Sequence, residues 1–326
     1  MKAVYVTSFE QPSCRLEVRD NVPKPEVGPD TVLVKIKAAG INSIDKRIMG
    51  GQFFHLPVKP PFTPGLDGAG VVVEVGSDVT RFKPQDRVYA HSKKMGHFAE
   101  YVSLREVEVR HLPTEISFEQ GAVLAIPYLT AYRAIVNRGK AKKGETILIH
   151  GASGPVGLAC CQIARSLDLR VLGTASTAEG QQLVKENGAD LVFNHKSPDH
   201  ITQILDASDG KGVDLIVETN SSLNLQGDIK MSAKGGRILV IGNGPGQLQG
   251  SLAGLMPKEI NIVGVGLVSA TQDNHNEAYT FIESGVKAGS LVPVVGRQYD
   301  LDDTTEAIEN LGKPKTTLGK PIIAMS

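Results

Sequence analysis

The chain of 326 residues has no tryptophan, three cysteines and only 5% aromatic residues. Cys14, Cys160 and Cys161 form neither a C-x-x-C pair nor a disulfide framework, so a reducing, cytoplasmic compartment is expected. No run of about 18 apolar residues is present, which excludes an ordinary membrane-spanning helix. Met1–Glu10 alternates like a strand and lacks the apolar centre of a signal peptide. Charge of one sign is also missing: 35 Lys plus Arg face 35 Asp plus Glu. That balance, with so few aromatic side chains for stacking on bases, argues against nucleic acid as the main partner. There is no internal repeat and no low-complexity segment.

What is present centres on Thr146–Gly157, Thr-Ile-Leu-Ile-His-Gly-Ala-Ser-Gly-Pro-Val-Gly. A short β-branched and leucine run reads as a buried strand. A loop follows with glycines at 151, 154 and 157. An apolar helical stripe then begins, carrying Val156, Ala159, Cys160, Ile163, Ala164 and Leu167. Strand, glycine loop and helix together make a site for a dinucleotide pyrophosphate, because free N–H groups and the positive end of the helix face the anion.

The region up to about residue 125 is rich in short strands separated by proline and glycine turns, which suggests a compact barrel or sandwich. One helix is expected at Ser43–Met49, capped by Asn42. Ser117–Arg138 reads as helical with a break at Pro127, and Ser117 and Gln120 have capping-box spacing. Six strands then alternate with helices between Ile147 and Val265, the count for two mononucleotide-binding halves of a doubly wound parallel sheet. The expected organisation is therefore an α/β chain with a β-rich domain over 1–125, a dinucleotide domain over 126–266 and a return segment, 267–326, completing the first domain.

An NAD-binding sheet of this kind carries an acidic residue about 20 positions beyond the glycine loop. Here the second strand ends Val171-Leu172-Gly173-Thr174-Ala175-Ser176, with no carboxylate at its tip. The small hydroxyl-bearing tip leaves room for a 2′-phosphate, with Lys196 or Lys320 as the cationic partner and His195 alongside. NADP(H) is therefore expected over NAD(H).

The chain resembles the medium-chain dehydrogenase/reductase superfamily and, within it, the zinc-independent quinone oxidoreductases of the zeta-crystallin type. The motifs carrying the resemblance include Ala39-Gly40-Ile41-Asn42, Pro64-Gly65-Leu66-Asp67-Gly68-Ala69-Gly70, Asp86-Arg87-Val88, Ile126-Pro127-Tyr128-Leu129-Thr130-Ala131-Tyr132-Arg133, His150–Gly157 and Phe193-Asn194-His195. The resemblance implies a GroES-like (chaperonin-10-like) barrel, a Rossmann domain and an acceptor bound between them. Zinc alcohol dehydrogenases of the superfamily place metal ligands at positions that are Asn42, Leu66 and Ile126 here. None offers a thiolate or imidazole, so no zinc is expected, and an already electrophilic acceptor is favoured over an alcohol. The cofactor supplies the redox chemistry, and the protein supplies placement and a dry pocket.

By the same resemblance Asn42 and Thr130 are the catalytic candidates beside the nicotinamide. Ser153, Gly154, Pro155 and Val156 form the pyrophosphate loop. Ser176 and His195 fall to the adenosine phosphate, where the residues themselves offer Lys196 or Lys320 as the cation, and Asn224 to a cofactor contact. Ile241-Gly242-Asn243-Gly244 flanks the nicotinamide ribose, and Val265-Gly266-Leu267 holds the carboxamide. Arg47 and Phe53 stand where relatives have tyrosines lining the acceptor pocket, and Arg47 could reach the cofactor phosphates. Asp45 has no evident partner to tune it as an acid, so no general acid is named. The implied activity is NADPH-dependent quinone reduction. Reduction of enals or enones is the nearest alternative. A non-catalytic NADPH-binding protein with a structural or RNA-binding role is an alternative of another class. A homodimer or homotetramer is implied.

Overall fold

The computed structural model describes every residue except 11–12, 54, 245, 248–249, 314–317 and 326. The chain divides into two units, Met1–Ile126 with Pro293–Ser326, and Pro127–Val292. In chain order the first unit opens with β1 (Ala3–Glu10), β2 (Ser13–Arg19), β3 (Thr31–Gly40), α1 (Ser43–Met49), β4 (Asp67–Val75), β5 (Arg87–His91), β6 (Tyr101–Arg105) and β7 (Val109–His111). Helix α2 (Phe118–Tyr132) runs out of it and continues as a π-helical turn, Arg133–Arg138. The second unit holds β8 (Thr146–Ile149), α3 (Pro155–Ser166), β9 (Arg170–Thr174), α4 (Ala178–Glu186), β10 (Leu191–Phe193), α5 (His200–Ala207), β11 (Val213–Glu218), α6 (Ser221–Met231), β12 (Ser232–Val240), α7 (Leu255–Lys258), β13 (Asn261–Gly264) and α8 (Gln272–Lys287). The chain then returns with β14 (Val295–Asp300), α9 (Thr304–Asn310) and β15 (Lys320–Ala324).

In the first unit a seven-stranded sheet runs β14-β15-β3-β4-β5-β7, with β6 also on β3, and β1 and β2 form a separate hairpin. Its strands alternate, as in β3, where Val32, Val34 and Ile36 point into a core shared with Val72, Val88, Phe98 and Ile323. In the second unit the six strands are all parallel in the order β10-β9-β8-β11-β12-β13. This is the doubly wound arrangement, and the order reverses between β8 and β11. The central strands are apolar throughout, as Ile147–Ile149 and Leu215–Val217 show, because both faces are covered.

Two expectations change. The second boundary falls at Val292 rather than near residue 266. Helix α8 stays with the second unit because Phe281 packs on Tyr132 with ring centroids 5.1 Å apart and Asn274 accepts from Arg133 at 3.0 Å. Pro127 does not interrupt α2. Proline has no N–H for the Val123 carbonyl, and on the same turn two backbone groups have side-chain partners from outside the helix. A regular helix would pair Ile126 N–H with Ala122 C=O. Here Ile126 N–H donates to Asp67 at 3.1 Å and Ala122 C=O accepts from Lys320 at 2.9 Å. The spacing of Ser117 and Gln120 does make a reciprocal cap: Gln120 N donates to Ser117 Oγ at 3.2 Å and Ser117 N to Gln120 Oε1 at 3.0 Å. Among the described residues no helix is long and apolar enough to cross a membrane.

Candidate functional site

The glycine loop joins β8 to α3, and its three glycines have different reasons to be glycine. Gly151 sits at φ +62°, a left-handed conformation that side chains disfavour. At Gly157 an added Cβ would lie 2.5 Å from the Gly151 carbonyl oxygen and 2.6 Å from Ala152 Cα, so α3 could not approach the loop. Gly154, the residue before α3, has φ −80° and ψ 170°, open to any residue, and the nearest atom to its virtual Cβ is 3.4 Å away. The fold therefore does not require glycine at 154. Pro155 occupies the first helical position without losing a helix bond. The amides of Val156 and Gly157 belong to the first turn, which has no helical acceptors of its own.

The other predicted loops of the second unit lie at the same carboxyl edge of the sheet. Ala152 N donates to Thr174 O at 3.0 Å, which ties the glycine loop to the end of β9 and so to Ser176. Ala175 N donates to Phe193 O at 3.0 Å, bringing the end of β10, with exposed His195 and Lys196, beside Ser176. Ser221 N donates to Gly242 O at 3.1 Å and its hydroxyl to Asn243 at 3.1 Å, joining the β11 and β12 loops. A Cβ on Gly242 would lie 2.2 Å from Thr219 O, and Gly244 has φ +73°, so both glycines are required by the backbone. Val265 N donates to Val240 O at 2.9 Å, which sets Val265–Leu267 beside Ile241. Thr130 is buried on α2.

Arg133 was not read from the sequence as a site residue. Its guanidinium donates to Gly266 O at 2.9 Å and to Ser269 O at 3.3 Å, besides Asn274. Because it spans several acceptors with one planar fork, it fixes the segment after β13. Asn224 turns its amide to Glu218 Oε1 at 3.3 Å, toward the interior of the sheet end.

Asn42, Arg47 and Lys320 belong to the first unit. Asn42 caps α1 and is buried, and its Nδ2 faces three acceptors: Asp67 Oδ1 at 2.9 Å, Asp45 Oδ2 at 3.2 Å and Gly40 O at 3.4 Å. Two hydrogens thus have no capacity left for an outside acceptor, and the side chain can offer only its Oδ1. Asp45 also accepts from Asn42 N at 2.7 Å. Burial first, and then the Asp67 charge, push the Asp45 carboxyl up to about 7. This corrects the expectation that Asp45 has no partner to tune it. Its Oδ1 is buried and makes no hydrogen bond.

Lys320 is corrected as well. Its side chain is 0% exposed, and its ammonium is paired with Asp67 and donates to Ala122 O. It is not available to a cofactor phosphate. A lysine at the start of a terminal strand reads as a surface cation, but β15 lies between β14 and β3, inside the sheet. Arg47 is exposed on α1. Phe53 lines an apolar pocket of about 230 Å³ with Phe9, Ile48, Leu56 and Val58. Leu66 and Ile126 are buried apolar side chains with no metal donor.

Comparison with known proteins places these features in context. A family profile described as the alcohol dehydrogenase GroES-like domain matches residues 28–114, and one described as zinc-binding dehydrogenase matches residues 155–284. The chain is 40% identical to a quinone oxidoreductase of Homo sapiens over 325 residues, covering 100% of this chain and 98% of that protein. The crystal structure of Escherichia coli quinone oxidoreductase complexed with NADPH is similar with a TM-score of 0.89 at 26% identity, covering 100% of both chains. The crystal structure of an NAD-dependent alcohol dehydrogenase is similar with a TM-score of 0.91 at 29% identity, covering 100% of both chains.

Proposed function

The chain belongs to the quinone oxidoreductases of the zeta-crystallin type, in the medium-chain dehydrogenase/reductase superfamily, and on that premise we propose how its residues serve the reaction. It is an NADPH-dependent oxidoreductase that reduces quinones. The observation carrying the cofactor assignment is Gly154, whose missing side chain answers to no neighbour within the fold. Its loop and the first-turn amides of Val156 and Gly157 receive the pyrophosphate. Ser176, His195 and Lys196 take the 2′-phosphate at the ends of β9 and β10, where the strand tip Thr174-Ala175-Ser176 carries no carboxylate of its own. Asn243 and Gly244 flank the ribose. Val265–Leu267, held in place by Arg133, offers backbone groups to the carboxamide, and Thr130 packs on the ring. When bound, the dihydronicotinamide supplies the reducing equivalents.

Asn42 acts as an acceptor. With its N–H groups consumed by Asp45, Asp67 and Gly40, its Oδ1 orients a hydroxyl or amide N–H and does not polarise the quinone oxygen. Zinc takes no part, because Leu66 and Ile126 hold two of the positions where zinc relatives carry metal ligands and neither offers a donor. An acceptor that needs no Lewis acid fits this arrangement, and the apolar wall around Phe53 suits an uncharged ring. The protein works in the cytoplasm as a homodimer or homotetramer.

Stopped-flow NADPH oxidation against a panel of quinones and enals tests this reading. Quinones are expected to turn over to hydroquinones, and enals to remain unreduced. The kcat/KM with NADPH should exceed that with NADH by about tenfold or more, about 1.4 kcal/mol of transition-state binding. Equal values for the two nucleotides would refute the phosphate assignment, and a saturated carbonyl as the main product would refute the acceptor.

A further inference from the structure

Strands β8 and β11 are the two between which the strand order reverses, and each ends in a buried titratable residue. His150 follows β8, Glu218 closes β11, and Asp228 comes from α6. All three are buried, and a ring nitrogen of His150 and one carboxylate oxygen each of Glu218 and Asp228 lie within 4.8 Å of one another. Their hydrogen bonds form two runs, one ending at Asp228 and the other at Glu218. Gly151 N–H, in the glycine loop, donates to Thr174 Oγ at 3.3 Å. Thr174 Oγ lies 3.3 Å from His150 Nδ1, and His150 Nε2 lies 2.9 Å from Asp228 Oδ1. At the far end Glu218 Oε1 accepts from Asn220 N–H and from Asn224 Nδ2. Since Thr174 Oγ already accepts from Gly151, its own hydrogen is free for His150 Nδ1. The neutral imidazole then donates from Nε2 to Asp228.

A gap of one proton remains. Asp228 Oδ2 and Glu218 Oε2 are both buried and make no hydrogen bond to any donor. Two ionised carboxylates cannot satisfy each other, whereas one proton between them satisfies both. We propose that His150, Glu218 and Asp228 are positioning residues, joined through one proton shared by the two carboxyl groups, that hold the Gly151 and Asn220 loops in the register the dinucleotide needs. The inference rests on the cofactor reading given above.

Burial raises both carboxyls, to about 7, and the Asp228 charge adds to the rise at Glu218, while burial lowers the His150 imidazole, so near neutrality a neutral histidine stands beside an acid pair that still holds its shared proton. Other charges nearby come from the β10 side. His195 interacts with His150 and is itself lowered, by partial burial first and then by His150, His200 and Lys196. The sign follows directly. A carboxyl raised on folding stabilises fully below its unfolded value of about 4, and that stability is lost as pH rises through the folded value. Loss of the shared proton breaks the chain and sets a second negative charge behind the pyrophosphate loop. Both effects weaken the hold on NADPH as pH rises through about 7.

The test is NADPH fluorescence titration of the full chain from pH 6 to 8.5, with thermal unfolding of the cofactor-free protein over the same range. Asp228→Asn can accept from His150 and donate to Glu218, and Glu218→Gln can accept from Asn220 and donate to Asp228, so each mimics the protonated pair. Relative to the unaltered protein, each single variant should bind NADPH about tenfold more tightly at pH 8.5 and equally at pH 6. Taking this ratio cancels ionisation of the ligand's own phosphate. The unfolding temperature of each single variant should lose its fall with pH. The double variant sets two amide N–H groups face to face and should bind about tenfold more weakly at every pH. If the double variant does not fold, the singles decide. Single variants that keep the original pH slope, or a double variant that binds like the singles, would overturn the proposal. So would a metal ion found in stoichiometric amount in the purified chain and lost from Asp228→Asn. A protein that binds no NADPH at any pH removes the cofactor reading, and the positioning role with it; a pH-independent affinity removes only the shared proton.

Discussion

Replacing Lys320 with methionine should cost the first unit about 3–5 kcal/mol, enough to lower its unfolding temperature by about 10 °C. The ammonium is fully buried and serves two partners, Asp67 and the Ala122 carbonyl. Asp67 in turn accepts from Ile126 N–H at 3.1 Å and from Asn42 Nδ2 at 2.9 Å. The ion pair therefore stands inside the hydrogen-bond ladder of α2, taking the two backbone groups on the turn before Pro127. Methionine fills the volume but leaves Asp67 charged and the Ala122 oxygen unpaired in a dry interior. Arginine should not rescue it. A Cβ on Gly40 would already lie 2.3 Å from Lys320 Nζ and 2.5 Å from Ala122 O, so the channel has no width for a guanidinium. Lys320→Met combined with Asp67→Leu removes both charges and should recover much of the lost stability, while Asn42 loses its strongest partner and activity stays low. Differential scanning calorimetry, with NADPH oxidation measured alongside, reads both effects. An unchanged transition for Lys320→Met would show that the pair contributes nothing.

The same residues mark where sequence reading succeeds and where it stops. The glycine loop, the parallel strands and the cap at Ser117 are local signals: a period, a turn residue, a spacing of three. Pro127 also signals locally, but the break expected there does not occur: α2 runs through the proline, and the disturbance stays within its turn. The partner groups that absorb the disturbance are 59 and 198 residues away, at Asp67 and Lys320, and no window of sequence joins them. Lys320 was expected at a phosphate because lysine is ordinarily a surface cation, and only the strand order shows that it is interior. The Asp45 carboxyl is raised first by burial and then by Asp67, which lies beyond the rest of α1 and the segment before β4. Glu218 carried a weak signal, an acid closing the apolar run Leu215–Val217, but its meaning depends on Asp228 and His150, and on β8 and β11 being neighbours. Buried polar clusters are assembled by topology, and their chemistry becomes legible only once the sheet order is known.

The opposite pattern, effects without long-range partners, is expected at the glycine loop. Gly154→Asp should leave the second unit as stable as before or slightly more so, because aspartate is a preferred residue before a helix and the position has room and ordinary dihedrals. Its carboxylate would nevertheless occupy the first-turn amides of α3 and oppose the pyrophosphate there. NADPH affinity should fall by about a hundredfold or more, about 2.7 kcal/mol. Gly157→Ala adds a single methyl group at a site where it meets the Gly151 carbonyl and Ala152 Cα well inside contact distance. Helix α3 must move off the loop, so both folding stability, by about 1–3 kcal/mol, and NADPH binding should fall together. Fluorescence titration paired with calorimetry separates the two outcomes. If Gly154→Asp binds NADPH normally, the anion does not sit at this helix end. If it instead unfolds like Gly157→Ala, glycine at 154 serves the fold after all, and the strongest reason for placing a cofactor there is gone.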